Sequence, residues 1–315
     1  MPYLLVRDRL VAGPEAAEPA PERQLLASVL ARVQWGDAIP PYYPRSADGS
    51  RGTEAVLNAL VLADRDARLG QFSAPTQSAL AHMWSLQRTT GPQAGSWAWL
   101  AFPDEPWEAP DSVYYGATLA ALAVSRTPLA YQQRADVQAA LGHLRDYLLE
   151  QAPRQPPLRR VELLWVSGSL PGLLPTEQRD AIVAQLSSDQ RADGGWNLAS
   201  LMPDLHRRDH TAEPAGSDGF ATGLAALALQ SAGVSSTDPR LQRGLAWLNT
   251  HQNRWTGGWS AASLNHRYGL IRGGNPRHFM DDAASAFAVM ALTQAGANGT
   301  AAQTAIASMR PERPE

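Results

Sequence analysis

Two adjacent carboxylates, Asp281 and Asp282, open an apolar stretch late in the chain, in the run FMDDAASAF. Neighbouring carboxyl groups raise one another's pKa, and a carboxyl that keeps its proton is what a general acid requires. The same placement suits helix capping, because an Asp at a helix start accepts backbone N–H groups and gains from the helix dipole. Both readings stand for Asp281. Asp111 and Asp218 head two further apolar stretches, and there capping is the expected role. Glu54 and Glu162 form another candidate pair, in Arg51-x-x-Glu54 and Arg159-x-x-Glu162. A carboxylate in apolar surroundings can act as acid or base, whereas the spacing of three favours an Arg–Glu ion pair in a first helical turn.

Basic residues gather in two long polar loops, 197–217 and 260–280, which hold His206, Arg207, Arg208, His210, His266, Arg267, Arg272, Arg277 and His278. Such a cluster beside helix N-termini suits an anionic group such as phosphate or carboxylate. The competing reading is a solvated loop balanced by Asp204, Asp209 and Glu213. The histidine spacing fits no familiar metal signature, and neither metal nor cofactor is expected.

Composition removes other chemistry. The 315 residues include no cysteine, so thiolate metal sites, Cys nucleophiles and disulfides are excluded. Lysine is also missing, which removes Schiff-base chemistry and a P-loop lysine. A formal charge of −3 argues against nonspecific nucleic-acid binding. No run of 18 or more apolar residues is present, and Met1–Leu10 lacks the continuous apolar core of a signal peptide. A soluble protein is expected, cytoplasmic or touching a membrane only peripherally, of unspecified oligomeric state.

The elements that must position these groups show a repeat. Gln190-Arg-Ala-Asp-Gly194-Gly195-Trp196 is echoed by Gln252-Asn-Arg-Trp-Thr-Gly257-Gly258-Trp259, 63 positions on. Trp196 to Asp218 and Trp259 to Asp281 are both 22 positions. A degenerate copy runs from Gln87 to Trp97. A period that long is one supersecondary unit stacked on the next. Between the copies, amphipathic stretches alternate with five that are apolar all round, at about 53–63, 111–124, 158–170, 218–231 and 281–294. An outer layer needs one apolar face and an inner layer needs apolar residues on every side, so the expected fold is all-α, an α/α toroid of about five to six helix pairs. Residues 1–21 read as an extended lead-in, 22–309 as one toroid domain with a last short helix over 300–309, and 310–315 as a polar tail. The glycines, the indoles and the Gln amides are expected to be structural: turns, packing and backbone capping.

These repeats resemble the squalene–hopene cyclase and protein prenyltransferase superfamily, whose members carry Gln-x(n)-Gly-x-Trp signals. The resemblance covers roughly residues 50–296. It implies a central cavity for an isoprenoid or other lipidic ligand, with Tyr114, Tyr115, Trp165, Phe220 and Phe287 as lining candidates and Arg272, Arg277 and His278 at its mouth. It also implies a class II, protonation-initiated terpenoid cyclase: Asp281 and Asp282 match the last two acids of the Asp-x-Asp-Asp motif, and Phe279 stands where the first would be. The prenyltransferase zinc site needs a cysteine that this chain lacks. Two other readings stay open, a catalytically silent toroid that binds a lipid or protein partner, and a glycan-acting toroid with paired carboxylates.

Overall fold

The computed structural model describes residues 4–7, 18–102, 104–265 and 276–296, the last stretch with side chains from 279 onward. Among them every regular element is helical and no strand occurs. The fold is all-α. The chain divides into two compact units, one built on Ala12–Arg154 and the other on Gln155–Glu315 together with Pro2–Val11.

In the first unit, α1 (Ala20–Trp35), α3 (Ala74–Ser85) and α5 (Ala135–Gln151) flank two helices of a different character, α2 (Ala47–Arg68) and α4 (Ser112–Ser125). From Tyr114 to Val124 every residue of α4 is buried. It packs against α2 on one side and α5 on another, while α3 covers α2 and α1 covers α3. The 53–63 stretch belongs to a longer helix than its apolar run suggests. Polar residues extend it at both ends: Asp66 accepts from the backbone of Ser73 (2.6 Å) and from Gln71 (2.8 Å), and Asp64 lies 3.3 Å from both Arg68 and Arg126. Ahead of α5 the helical path is broken by an extended Arg134, leaving a four-residue turn, Leu129–Gln132. Gln132 anchors that turn to the carbonyls of Val124 and Thr127.

The second unit repeats the scheme. Its α6 (Pro157–Ser167), α8 (Gly219–Ser231) and α10 (Pro276–Gln294) alternate with α7 (Thr176–Ser188) and α9 (Pro239–Thr250). The centre is α8, buried from Gly219 to Leu229 and packed against α6, α9 and α10. Gly223 explains how closely α8 meets α10: a Cβ there would lie 2.6 Å from the backbone nitrogen of Ala288. The last apolar helix begins at Pro276, five residues before Asp281, because proline suits a first helical turn. Asp281 is therefore inside the helix and not at its head. The helix expected over 300–309 and most of the 1–21 lead-in lie outside the described residues.

Candidate functional site

Each Gln-Trp copy folds into the same fastener. The indole of Trp97 is fully buried and donates to the carbonyl of Met83 at 2.6 Å. Trp196 does the same to Leu186 at 2.7 Å, and Trp259 to Leu248 at 2.7 Å. These acceptors are last-turn carbonyls of the preceding helix. The Gln amide bridges two more carbonyls: Gln87 reaches Gly95 and Ala140, and Gln190 reaches Gly194 and Arg240. Gln252 donates to Gly257 at 2.6 Å. Gly194 adopts φ +93°, and the close approach of Arg243 leaves little room for a Cβ there. Gly195 packs on Ser217 and Thr222, and Gly258 sits by Ser285. These bonds tie each turn to the helix before it, and those of Gln87 and Gln190 also reach α5 and α9 respectively.

Two further groups complete the fastener, and one of them is not evident from composition. The hydroxyl of Thr222 accepts from the backbone N–H of Trp196 at 3.0 Å, and that of Ser285 accepts from Trp259 at 3.0 Å. Both lie 26 positions after their tryptophan, a signal readable in the sequence once the repeat is aligned. The second group is the aspartate. Asp218 caps α8 through Ala221 N–H (2.9 Å) and also accepts from Leu198 N–H (2.6 Å), two residues after Trp196. Asp281 accepts from Ala261 N–H (3.3 Å), two residues after Trp259. Asp111 precedes α4 in the corresponding place without a side-chain cap bond.

The two adjacent carboxylates differ in their surroundings. Asp281 is half-buried and directed at the loop backbone, whereas Asp282 is exposed. Phe279, where a first motif acid would stand, is 61% exposed. Burial pushes the Asp218 carboxyl up to about 6, overcoming the backbone N–H groups of Ala221, Leu198 and Phe220, which favour the ionised form. Its residue surface is partly open, but the carboxyl group itself is enclosed.

Glu162 pairs with Arg159 as its spacing implies, at 3.1 Å and with both side chains buried. Glu54 does not pair with Arg51. Its carboxylate takes both Arg32 Nε and Arg32 Nη2, the latter at 2.7 Å, and Arg51 pairs with Asp37 instead. The packing of α1 beside α2 offers Glu54 a bidentate guanidinium from Arg32. A cavity of about 20 Å³ beside this pair is lined by Arg51, Asn58 and His82 and has room for about one water.

The aromatic candidates are buried side chains in contact with one another. Trp165 meets Phe287 edge-on at 5.3 Å, and Phe287 meets Phe220 at 5.2 Å. Tyr114 packs on Tyr147 and donates its hydroxyl to the carbonyl of Leu148. Tyr115 lies edge-on to Trp99.

The loop 202–217 is tied to 260–265 by Arg207, which sequence reasoning placed among the anion-binding candidates. Its guanidinium donates twice to the carbonyl of Ser263 (3.1 and 2.8 Å) and once to Ala212 (3.1 Å). Glu213 accepts from the Arg207 backbone N–H at 2.8 Å and lies 3.7 Å from Arg207 Nε. This arginine is buried and serves as a staple. Arg208, His206 and His210 are exposed. His266, Arg267 and Arg272 lie outside the described residues, as do the side chains of Arg277 and His278. Beside the staple, a groove of about 350 Å³ opens along 197–206 and 213–215.

Among the described residues no helix is long and apolar enough to cross a membrane, and no group of three or more His, Asp or Glu could hold a metal ion. No protein-family model matches the chain and no curated protein matches it, so geometry alone carries the functional reading.

Proposed function

We propose that this chain is a helical-repeat binding protein, an α/α toroid similar in plan to the squalene–hopene cyclase superfamily, that holds a ligand without protonating it. The alternation of wholly buried and one-faced helices within each unit supports the two-layered plan. One observation carries the absence of acid chemistry: Asp281 and Asp218 do the same job, each accepting the backbone N–H two residues after a fastener tryptophan. An alkene is a very weak base, so an acid that protonates it must hold its proton toward the substrate in a dry site. The Asp281 carboxylate accepts the Ala261 N–H and is thereby aimed at the loop backbone, and its neighbour Asp282 is exposed. The aromatic rings that would steady a carbocation meet one another.

Incubation with squalene, oxidosqualene and shorter prenyl substrates tests the reading. No cyclised product is expected from the wild type, and Asp281→Asn is expected to lower the melting temperature. A product that disappears in Asp281→Asn at unchanged stability would overturn the binding reading in favour of a class II cyclase.

A further inference from the structure

The groove of about 350 Å³ in the second unit is lined in part by Arg191, Asn197, Ser200, His206, Glu213 and Pro214. Its volume lies in the range of small-molecule sites. Its floor is fixed: Asn197 donates to the carbonyls of Pro214 and Gly216, and its own oxygen accepts from the N–H and hydroxyl of Ser200. The one carboxylate in the lining, Glu213, is committed to Arg207 through the backbone N–H and the guanidinium. Arg191 differs. Its backbone closes the fastener turn with Gly194 and Gly195, while among the described residues its exposed guanidinium makes no hydrogen bond. Its acidic neighbour Asp193 is engaged by Gly195 N–H, Ser217 Oγ and Trp247 Nε1. His206 is likewise exposed with no hydrogen bond among the described residues. Two donors that make no hydrogen bond among the described residues thus border a polar trough, Arg191 beside the charge of Asp193 and His206 exposed to water.

We propose that this groove binds a phosphate monoester, with Arg191 forking two phosphate oxygens and His206 donating to a third. A planar guanidinium matches two phosphate oxygens, and a fixed floor reduces the ordering cost of binding. The site rests on the binding reading above and specifies its ligand.

Calorimetric titration of the full chain with phenyl phosphate, set against sodium chloride at equal ionic strength, tests the site. Vesicles carrying phosphatidic acid, compared with phosphatidylcholine vesicles, distinguish a lipid headgroup from a soluble ester. Binding of either phosphate source is expected, weakened about tenfold or more in Arg191→Gln and also weakened in His206→Gln. Arg254→Gln, an exposed arginine elsewhere on the same unit, should leave it unchanged. No binding of either source up to about 10 mM phosphate, a range that would still register a very weak site, overturns the proposal. Equal weakening by Arg254→Gln overturns it as well, since diffuse charge would then explain the signal. Failure here with no cyclised product from squalene removes only the phosphate site, whereas cyclised product with intact phosphate binding removes only the non-catalytic reading.

Discussion

At the scale of single residues, Asp218 is held where its charge is costly. Its pKa of about 6 lies above the ordinary carboxylate value because burial outweighs the backbone N–H groups it accepts. A carboxyl whose folded pKa exceeds its unfolded one takes up a proton on folding. Its contribution to stability is therefore full below about pH 4 and is lost as pH rises through about 6. The unfolding free energy of wild type relative to Asp218→Asn should fall by about 2 kcal/mol between pH 4 and pH 7. Urea titrations of both proteins at the two pH values measure this directly, and a constant difference would mean that the carboxyl titrates normally. Trp196 sits at the opposite extreme, with no exposed surface and an indole N–H fixed to Leu186. Trp196→Ala should cost about 3–5 kcal/mol, as large core truncations do. A thermal melt unchanged from wild type would deny the indole its fastening role.

At the scale of elements, two glycines of equivalent function differ in their surroundings. Gly95 and Gly194 both adopt φ +93°, but a Cβ at Gly95 would stand 2.0 Å from the carbonyl oxygen of His143, against 3.0 Å from that of Arg243 at Gly194. Both substitutions to alanine are strained by the backbone alone. Gly95→Ala should be the more damaging, by about 1–3 kcal/mol, because α5 must move to admit it. Chemical denaturation of the two variants decides the order, and equal losses would show that the conformation matters and the contact does not. Arg207 works between loops. Arg207→Ala should leave the global unfolding free energy within about 1 kcal/mol of wild type while opening the 202–217 loop locally. Hydrogen exchange at the Arg208 N–H, which donates to the carbonyl of Asn265, reads that opening; retained protection would count against the staple.

At the scale of the whole molecule, each unit has its own core and at least one fastener: in the first, Trp97 packs by Met83 and Trp84, and in the second, Trp196 packs by Leu186 and Gly244. Losses from Trp97→Ala and Trp196→Ala should then add to within about 0.5 kcal/mol in the double variant, since the two share no partner. Denaturant titration of the singles and the double tests this, and a large departure from additivity would mean that the two fasteners are coupled. The sequence alone determined the all-α class, most helix positions and the repeated Gln-Trp spacing. Those features are local or repeated: an apolar helix announces itself within its own length, and a Trp–Asp spacing of 22 positions that occurs twice is legible without coordinates. Tertiary structure decided which partner each charge would take. Arg207 reaches Ser263 across 56 positions, and Glu54 accepts Arg32 across 22 although Arg51 stands three residues away. Asp281, inside a helix that starts at Pro276, likewise accepts from Ala261 N–H, 20 positions back. Charged side chains are long and their partners are chosen by proximity in space, which no period in the chain encodes.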